Sequence, residues 1–192
     1  MESLSNEPKI DCNKDSYSFD EFMGIIRVLR SEQGCPWDRE QTHESLRDCM
    51  LEESYEAVDA INKNDLENLK EELGDVLLQV DLHSVIAEET DEFTIDQVTT
   101  DISKKMIHRH PHVFSDANAE SSSEVLKNWE AIKEKEKKEE TISEGMLRVA
   151  EALPALIRAT KIQKKAAKVG VEGANIQVVI NLLKSSIDKI EK

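Results

Sequence analysis

Two runs of carboxylates stand where helix spacing calls for apolar residues. Leu46, Cys49, Glu53, Glu56 and Ala60 follow steps of three and four, and so do Glu72, Asp75, Gln79, Leu82 and Ile86. Each run therefore puts two acids in line with residues that look buried. Ionised carboxylates are costly to bury without a cation, and like charges one turn apart repel. Four such acids in one region call for a compensating positive charge. Glu53 and Asp75 are each eleven positions from Asn64, and Glu56 and Glu72 are each eight from it. A turn near Asn64 would fold the two segments into an αα-hairpin, with Glu53 opposite Asp75 and Glu56 opposite Glu72. Neighbouring helix axes lie ~8–10 Å apart, so inward carboxylates can share an ion. An all-oxygen donor set suits Mg²⁺, with Mn²⁺ as a substitute, better than Zn²⁺. A di-iron bundle would want Glu-x-x-His, and the i+3 partners here are Glu56 and Asp75.

Composition points to helices as the elements that hold these acids. Charged residues make up 34% of the 192, against six Gly, four Pro and eight aromatics. Sheets need turn residues and β-branched or aromatic runs, whereas long solvated helices need neither. Neither glycine-loop phosphate motif occurs. The net charge of −15 argues against a nucleic-acid partner. No stretch has the apolar length of a membrane span. The N-terminus lacks the apolar core of a secretion signal, and three cysteines without a CxxC pair fit reduced thiols in the cytoplasm.

Capping boxes divide the chain. Ser18…Glu21, Asn64…Glu67, Thr94…Gln97, Ser121…Glu124 and Thr141…Glu144 each set a cap three residues before Glu or Gln. The first predicts a helix with Phe22, Ile25, Ile26 and Leu29 on one stripe, broken at Gly34–Asp38 because Pro36 lacks an amide donor. Further helices are predicted over 42–62, 65–89, 95–109 and 124–139, with a loop over 110–118. Residues 1–15 read as a loose tail, 16–140 as the main domain, and 141–192 as a helical linker with further helix. Trp37 is expected to be a packing anchor. His108, His110 and His112 alternate in a loop, which does not place three imidazoles on one ion. The basic stretch Arg158–Lys168 reads as a solvated face.

The acid pattern, Glu52-Glu53-x-x-Glu56 followed by Glu72-x-x-Asp75, resembles the EExxE…ExxD signature of the MazG-type nucleoside triphosphate pyrophosphohydrolases. Cys35-Pro36-Trp37-Asp38 with Gln41-Thr42, the run from Glu71 to Val80, and Arg109-His110-Pro111-His112-Val113-Phe114 resemble three more blocks of that family, in the same order. The likeness covers residues 18–170. It implies an all-α helical bundle that dimerises through helices, as a homodimer or higher homo-oligomer. It implies Mg²⁺-dependent hydrolysis of a nucleoside triphosphate to monophosphate and pyrophosphate, by metal-activated water attacking the α-phosphorus. Carried over by position, the metal ligands are Glu53, Glu56, Glu72 and Asp75. Glu52, Glu53 and Glu71 are the catalytic acids, and Lys105, Arg109, Trp129 and Lys133 contact the nucleotide. Some copies of the motif carry a lysine one turn before each acid pair, where this chain has Cys49 and Asn68. Residues 142–170 resemble the link into a second motif copy, but 173–192 hold neither EExxE nor ExxD, so that copy is truncated or degenerate. The competing expectations are a non-catalytic helical nucleotide-binding or interaction module, and a dUTPase- or dCTPase-like relative with narrow base selectivity.

Overall fold

The computed structural model describes residues 10–136, 141–170 and 176–190. Among them every regular element is helical: α1 (Phe19–Arg30), α2 (Pro36–Glu40), α3 (Arg47–Lys63), α4 (Leu66–Glu89), α5 (Ile95–Arg109), α6 (Pro111–Phe114), α7 (Ser122–Glu136), α8 (Ile142–Leu147), α9 (Ala155–Ala167) and α10 (Ile176–Ile190). The chain forms two compact units that divide between His108 and Arg109.

The first unit is organised by the α3–α4 hairpin. Asn64 sits at its turn in the left-handed region, φ 55° and ψ 34°, a conformation that Asn tolerates better than most residues. Its amide and that of Asp65 cap the last carbonyls of α3. The Asp65 carboxylate then accepts from the Asn68 amide and starts α4. Asp65, not the expected Asn64, is therefore the N-cap of α4, because Asn64 is used to reverse the chain.

Helix α1 packs on α4 and on α2. Its reciprocal Ser18–Glu21 box forms, but Met23 and Ile26 carry the buried stripe, while Ile25 is only half-buried. The core joins them to Leu46, Leu82, Val85, Ile86 and Ile95. The break after α1 is tight. The Cys35 amide reaches the Leu29 carbonyl, and a Cβ on Gly34 would meet the Val28 and Leu29 carbonyls at 2.2–2.3 Å, so only glycine fits. Pro36 then opens the short α2 from its first position, where a missing amide costs nothing. Trp37 on this helix is 59% exposed. It is not a packing anchor within the chain, since a five-residue helix has too little surface to bury it.

Arg30 ties this corner together. Its guanidinium is 4% exposed, forks onto Glu89 of α4 with both contacts at 2.7 Å, and donates to the carbonyls of Asp38 and Gln41. Helix α3 begins later than position 42. Residues Thr42 and Ser45 instead exchange backbone and hydroxyl hydrogen bonds in a turn before it.

In the second unit α8 packs on α9. The Thr141–Glu144 box forms there, and Pro111 opens α6 inside the segment expected to be loop. The basic stretch is only partly solvated: Lys168 pairs with Glu130 and Glu134 of α7, and Lys165 donates to the Gly145 carbonyl. Residues 137–139 of the expected fifth helix lie outside the described residues.

One buried acid does not belong to the hairpin site. Asp81 of α4 is 0% exposed, and both carboxylate oxygens lack a partner among the described residues. Burial pushes its carboxyl up to about 6, opposed weakly by Arg27, whose fork is already engaged by Glu88. A raised carboxyl favours the fold while protonated, so this contribution is present at low pH and is lost as pH rises through about 6. The neutral isostere Asp81→Asn is expected to match the wild type in thermal melts near pH 3, below the ordinary carboxyl value of 3.8. At pH 8 it should be the more stable by on the order of 3 kcal/mol. Superimposable melts at both pH values would refute the account.

Candidate metal and nucleotide site

The hairpin brings the sequence-selected acids together. Carboxylate oxygens of Glu53, Glu56 and Glu72 lie within 4.8 Å of one another. Glu53 and Glu56 come from one face of α3, one turn apart, and Glu72 comes from α4. Glu72 is 9% exposed, Glu53 is half-buried and Glu56 is open to solvent. Asp75 is half-buried and falls outside that trio, yet it is the largest single charge acting on Glu53. Glu52 and Glu71 are exposed, one residue before the trio's members on each helix.

The electrostatics are those of a site short of positive charge. The Glu53 carboxyl is raised by burial first, then by Asp75, Glu56, Glu72 and Glu52. Glu72 is raised by burial, then by Glu56, Glu71 and Asp75, with a hydrogen bond from Asn68 pulling the other way. The charges that act most on Glu53 are all acids. Asn68 thus stands one turn before Glu72, where some motif copies have lysine, and it supplies a dipole in place of a charge. Such a cluster, with oxygen as its only donor, fits a hard divalent cation.

The second unit gathers three of the other selected residues. Lys133 Nζ lies 4.3 Å from the centre of the Trp129 ring, and the Arg109 guanidinium carbon lies 5.8 Å from it. Both are within cation–π range. Arg109 also forks onto Glu136, with contacts of 2.6 and 3.2 Å, which raises its pKa further. Sequence spacing did not disclose Glu136 as this partner, because the pair is 27 residues apart in a charge-rich run. Lys105 is exposed on α5. The His110 and His112 rings are tilted against each other, 5.7 Å apart, and the acid trio is the only cluster with metal-ligand spacing among the described residues.

Raised carboxyls destabilise the metal-free fold as pH rises through their folded values, and a cation removes that cost. Millimolar Mg²⁺ is expected to raise the melting temperature of the wild-type protein at pH 7.5. Glu53→Gln should raise the metal-free melting temperature and flatten the Mg²⁺ response. A Mg²⁺ response that survives unchanged in Glu53→Gln would remove this residue from the site.

Known proteins resemble the chain over the segment that carries this hairpin. Residues 41–114 match the MazG nucleotide pyrophosphohydrolase domain, a span that holds all six hairpin acids. The chain is 51% identical over 150 residues to the uncharacterized protein YabN of Bacillus subtilis, covering 77% of this chain and 30% of that one. It is 41% identical over 172 residues to the nucleoside triphosphate pyrophosphohydrolase of Escherichia coli K12, covering 89% of this chain and 65% of that one. The chain therefore spans less than two thirds of either relative. A crystal structure of a mazG-related protein from Thermotoga maritima superimposes with a TM-score of 0.51 at 31% identity, over 60% of this chain and 98% of that one. By the matched domain, these relatives and the shared helical fold, the chain belongs to the MazG family.

Proposed function

We propose that this chain hydrolyses nucleoside triphosphates, NTP or dNTP, to monophosphate and pyrophosphate with Mg²⁺ as cofactor. The observation that carries the reading is the oxygen trio of Glu53, Glu56 and Glu72 on one hairpin, surrounded by further acids. A triphosphate is a polyanion and would be repelled by this face unless cations lie between them. A bound divalent cation would screen that repulsion, polarise phosphoryl oxygens and acidify water. Glu53, Glu56 and Glu72 would hold it, with Asp75 completing the set. Water attacks the α-phosphorus, its oxygen forming the new P–O bond while the bond to the bridging oxygen breaks and pyrophosphate leaves. The proton passes to a carboxylate, for which Glu52, Glu71 and the raised Glu53 are the candidates. Positioning and charge neutralisation supply most of the acceleration.

Lys105, Arg109, Trp129 and Lys133 are assigned to the nucleotide. The Arg109 fork now holds a carboxylate in the two-pronged geometry that a phosphate also accepts, and Trp129 with Lys133 offers a ring beside a cation. The catalytic domain is placed at 16–140. The part from 141 to 192 is read as a helical linker with further helix. Free thiols at Cys12, Cys35 and Cys49 suit a cytoplasmic setting. No helix among the described residues is long and apolar enough to cross a membrane.

The hairpin also carries an open apolar stripe. Leu51, Tyr55 and Val58 on α3, and Leu66, Leu73 and Leu77 on α4, recur at helical spacing and are exposed. Pairing of two hairpins into a bundle would cover them, which supports a homodimer. Light scattering is expected to give twice the chain mass, and Tyr55→Glu with Leu77→Glu is expected to give a folded monomer. A wild-type protein that stays monomeric at micromolar concentration would exclude the pairing.

Incubation with ATP and Mg²⁺ is expected to yield AMP and pyrophosphate on product chromatography. Glu53→Gln and Asp75→Asn should each lower turnover at least a hundredfold, with helical circular dichroism retained. ADP and phosphate as products, or full activity in both variants, would refute the assignment. Nucleotide binding without turnover would instead favour the non-catalytic module.

A further inference from the structure

His43 lies in the turn that leads into α3, and His83 lies on α4. Their Nδ1 atoms are 2.7 Å apart. The ring planes are within 9° of parallel and the ring centres are 5.0 Å apart. That separation is the Nδ1–Nδ1 gap plus one ring radius at each end. The rings therefore meet end to end in nearly one plane, not face over face. Two imidazoles in this arrangement share one proton: one Nδ1–H donates and the other Nδ1 accepts.

The pair has a definite place in the hairpin. His43 is 21 positions before Asn64 and His83 is 19 after it, so the two lie on the same antiparallel ladder as the acids, farther from the turn. The hairpin is thus closed covalently at Asn64, and at its open end the N–H···N bond joins the core packing of Leu46, Leu82, Val85 and Ile86. Between these closures lie Glu53, Glu56, Glu72 and Asp75, whose like charges press α3 and α4 apart.

We propose that His43 and His83 are positioning residues, a one-proton clamp that holds the open end of the hairpin closed and sets the spacing at which the acids take a cation. The role in cation binding rests on the reading of the acid cluster given above; the clamp itself does not. With both rings protonated, two donors and two positive charges would face each other at 2.7 Å, so the clamp opens once both imidazoles are charged. Burial, and then His43, lower the pKa of His83. A lowered histidine keeps its stabilising effect at high pH and loses it as pH falls through the depressed value. The charged groups around the pair are Glu44 and Arg47 beside His43, and Glu92, which lines the cavity shared by both rings with Met50, Val80 and Phe93.

The test uses the full chain in two measurements. Nitrogen-15 NMR of the imidazoles in metal-free protein at pH 7.5 is expected to show one protonated and one bare Nδ1, with a coupling across the hydrogen bond. Two rings of the same tautomer without coupling would overturn the clamp. Calorimetric Mg²⁺ titrations then compare wild type, His83→Leu and His83→Asn, each checked for retained helical content. His83→Leu should weaken Mg²⁺ binding by roughly three- to tenfold, the range that one net hydrogen bond spans. His83→Asn, whose side chain can still meet His43, should bind near the wild-type level and lose less affinity between pH 7.5 and 6. Wild-type affinity in a folded His83→Leu would overturn the positioning role. No Mg²⁺ binding by the wild type would overturn the cation reading instead, and the nitrogen couplings would still decide the clamp.

Discussion

The constraint on which this fold turns is the repulsion among carboxylates held between α3 and α4. Two helices normally associate because apolar side chains leave water together. Here the midsection of the contact is occupied by Glu53, Glu56, Glu72 and Asp75, and burial and mutual charge both push Glu53 and Glu72 toward the protonated state. The hairpin must be held by what lies on either side of that section. On the turn side, Ala57 and Ala60 are buried and let the helices approach closely, while Asn64 and Asp65 reverse the chain. On the far side, Leu46, Leu82, Val85 and Ile86 enter the core with α1. An electrostatically unfavourable strip is thus clamped between two favourable ends, and this keeps the acids together before any cation arrives.

Much of that hairpin was legible in the sequence because its signals are local or periodic. Acids at apolar spacing mark a face, and equal distances from Asn64 mark the register. Ser18–Glu21 and Thr141–Glu144 are reciprocal caps that need only four residues. What escaped depends on contacts between distant segments, or on competition between neighbours for one role. Asn64 and Asp65 can both cap a helix, and only the backbone shows that Asn64 takes the left-handed turn. Arg30 looks like any surface arginine until α1, α2 and α4 converge on it. His43 and His83 are 40 residues apart and neither lies in a histidine-rich motif. Trp37 was misread because a large aromatic suggests burial, and the length of its helix decides otherwise.

The acidic excess resolves into populations with different physics. Glu88 and Glu89 neutralise Arg27 and Arg30 and bind α1 to α4. Glu21 and Glu144 complete capping boxes and are held below the usual carboxylate range by those hydrogen bonds, with Lys14 leading in the case of Glu21. Asp81 is buried with no hydrogen-bond partner among the described residues. Among the described residues, Glu53 and Glu72 are raised by neighbouring acids as well as by burial. A net charge of −15 therefore says little about what the protein can bind; the distribution of compensation says more.

Compensation is where the hairpin acids differ from the other charged groups. In the first unit the hairpin acids repel across a short gap, and the nearest neutral help is the Asn68 dipole at Glu72. In the second unit the matched pairs are already closed: Arg109 with Glu136, and Lys168 with Glu130 and Glu134. A polyanion meeting those pairs competes with resident carboxylates, whereas the charges acting on Glu53 and Glu72 are themselves acids. The scarcity of glycine has the same origin. A phosphate cradle made of backbone amides needs residues free to take φ > 0, while this chain offers long helices whose side chains, not backbone, carry the charge. A divalent cation at the hairpin acids would turn that surface from one that repels a polyanion into one that attracts it.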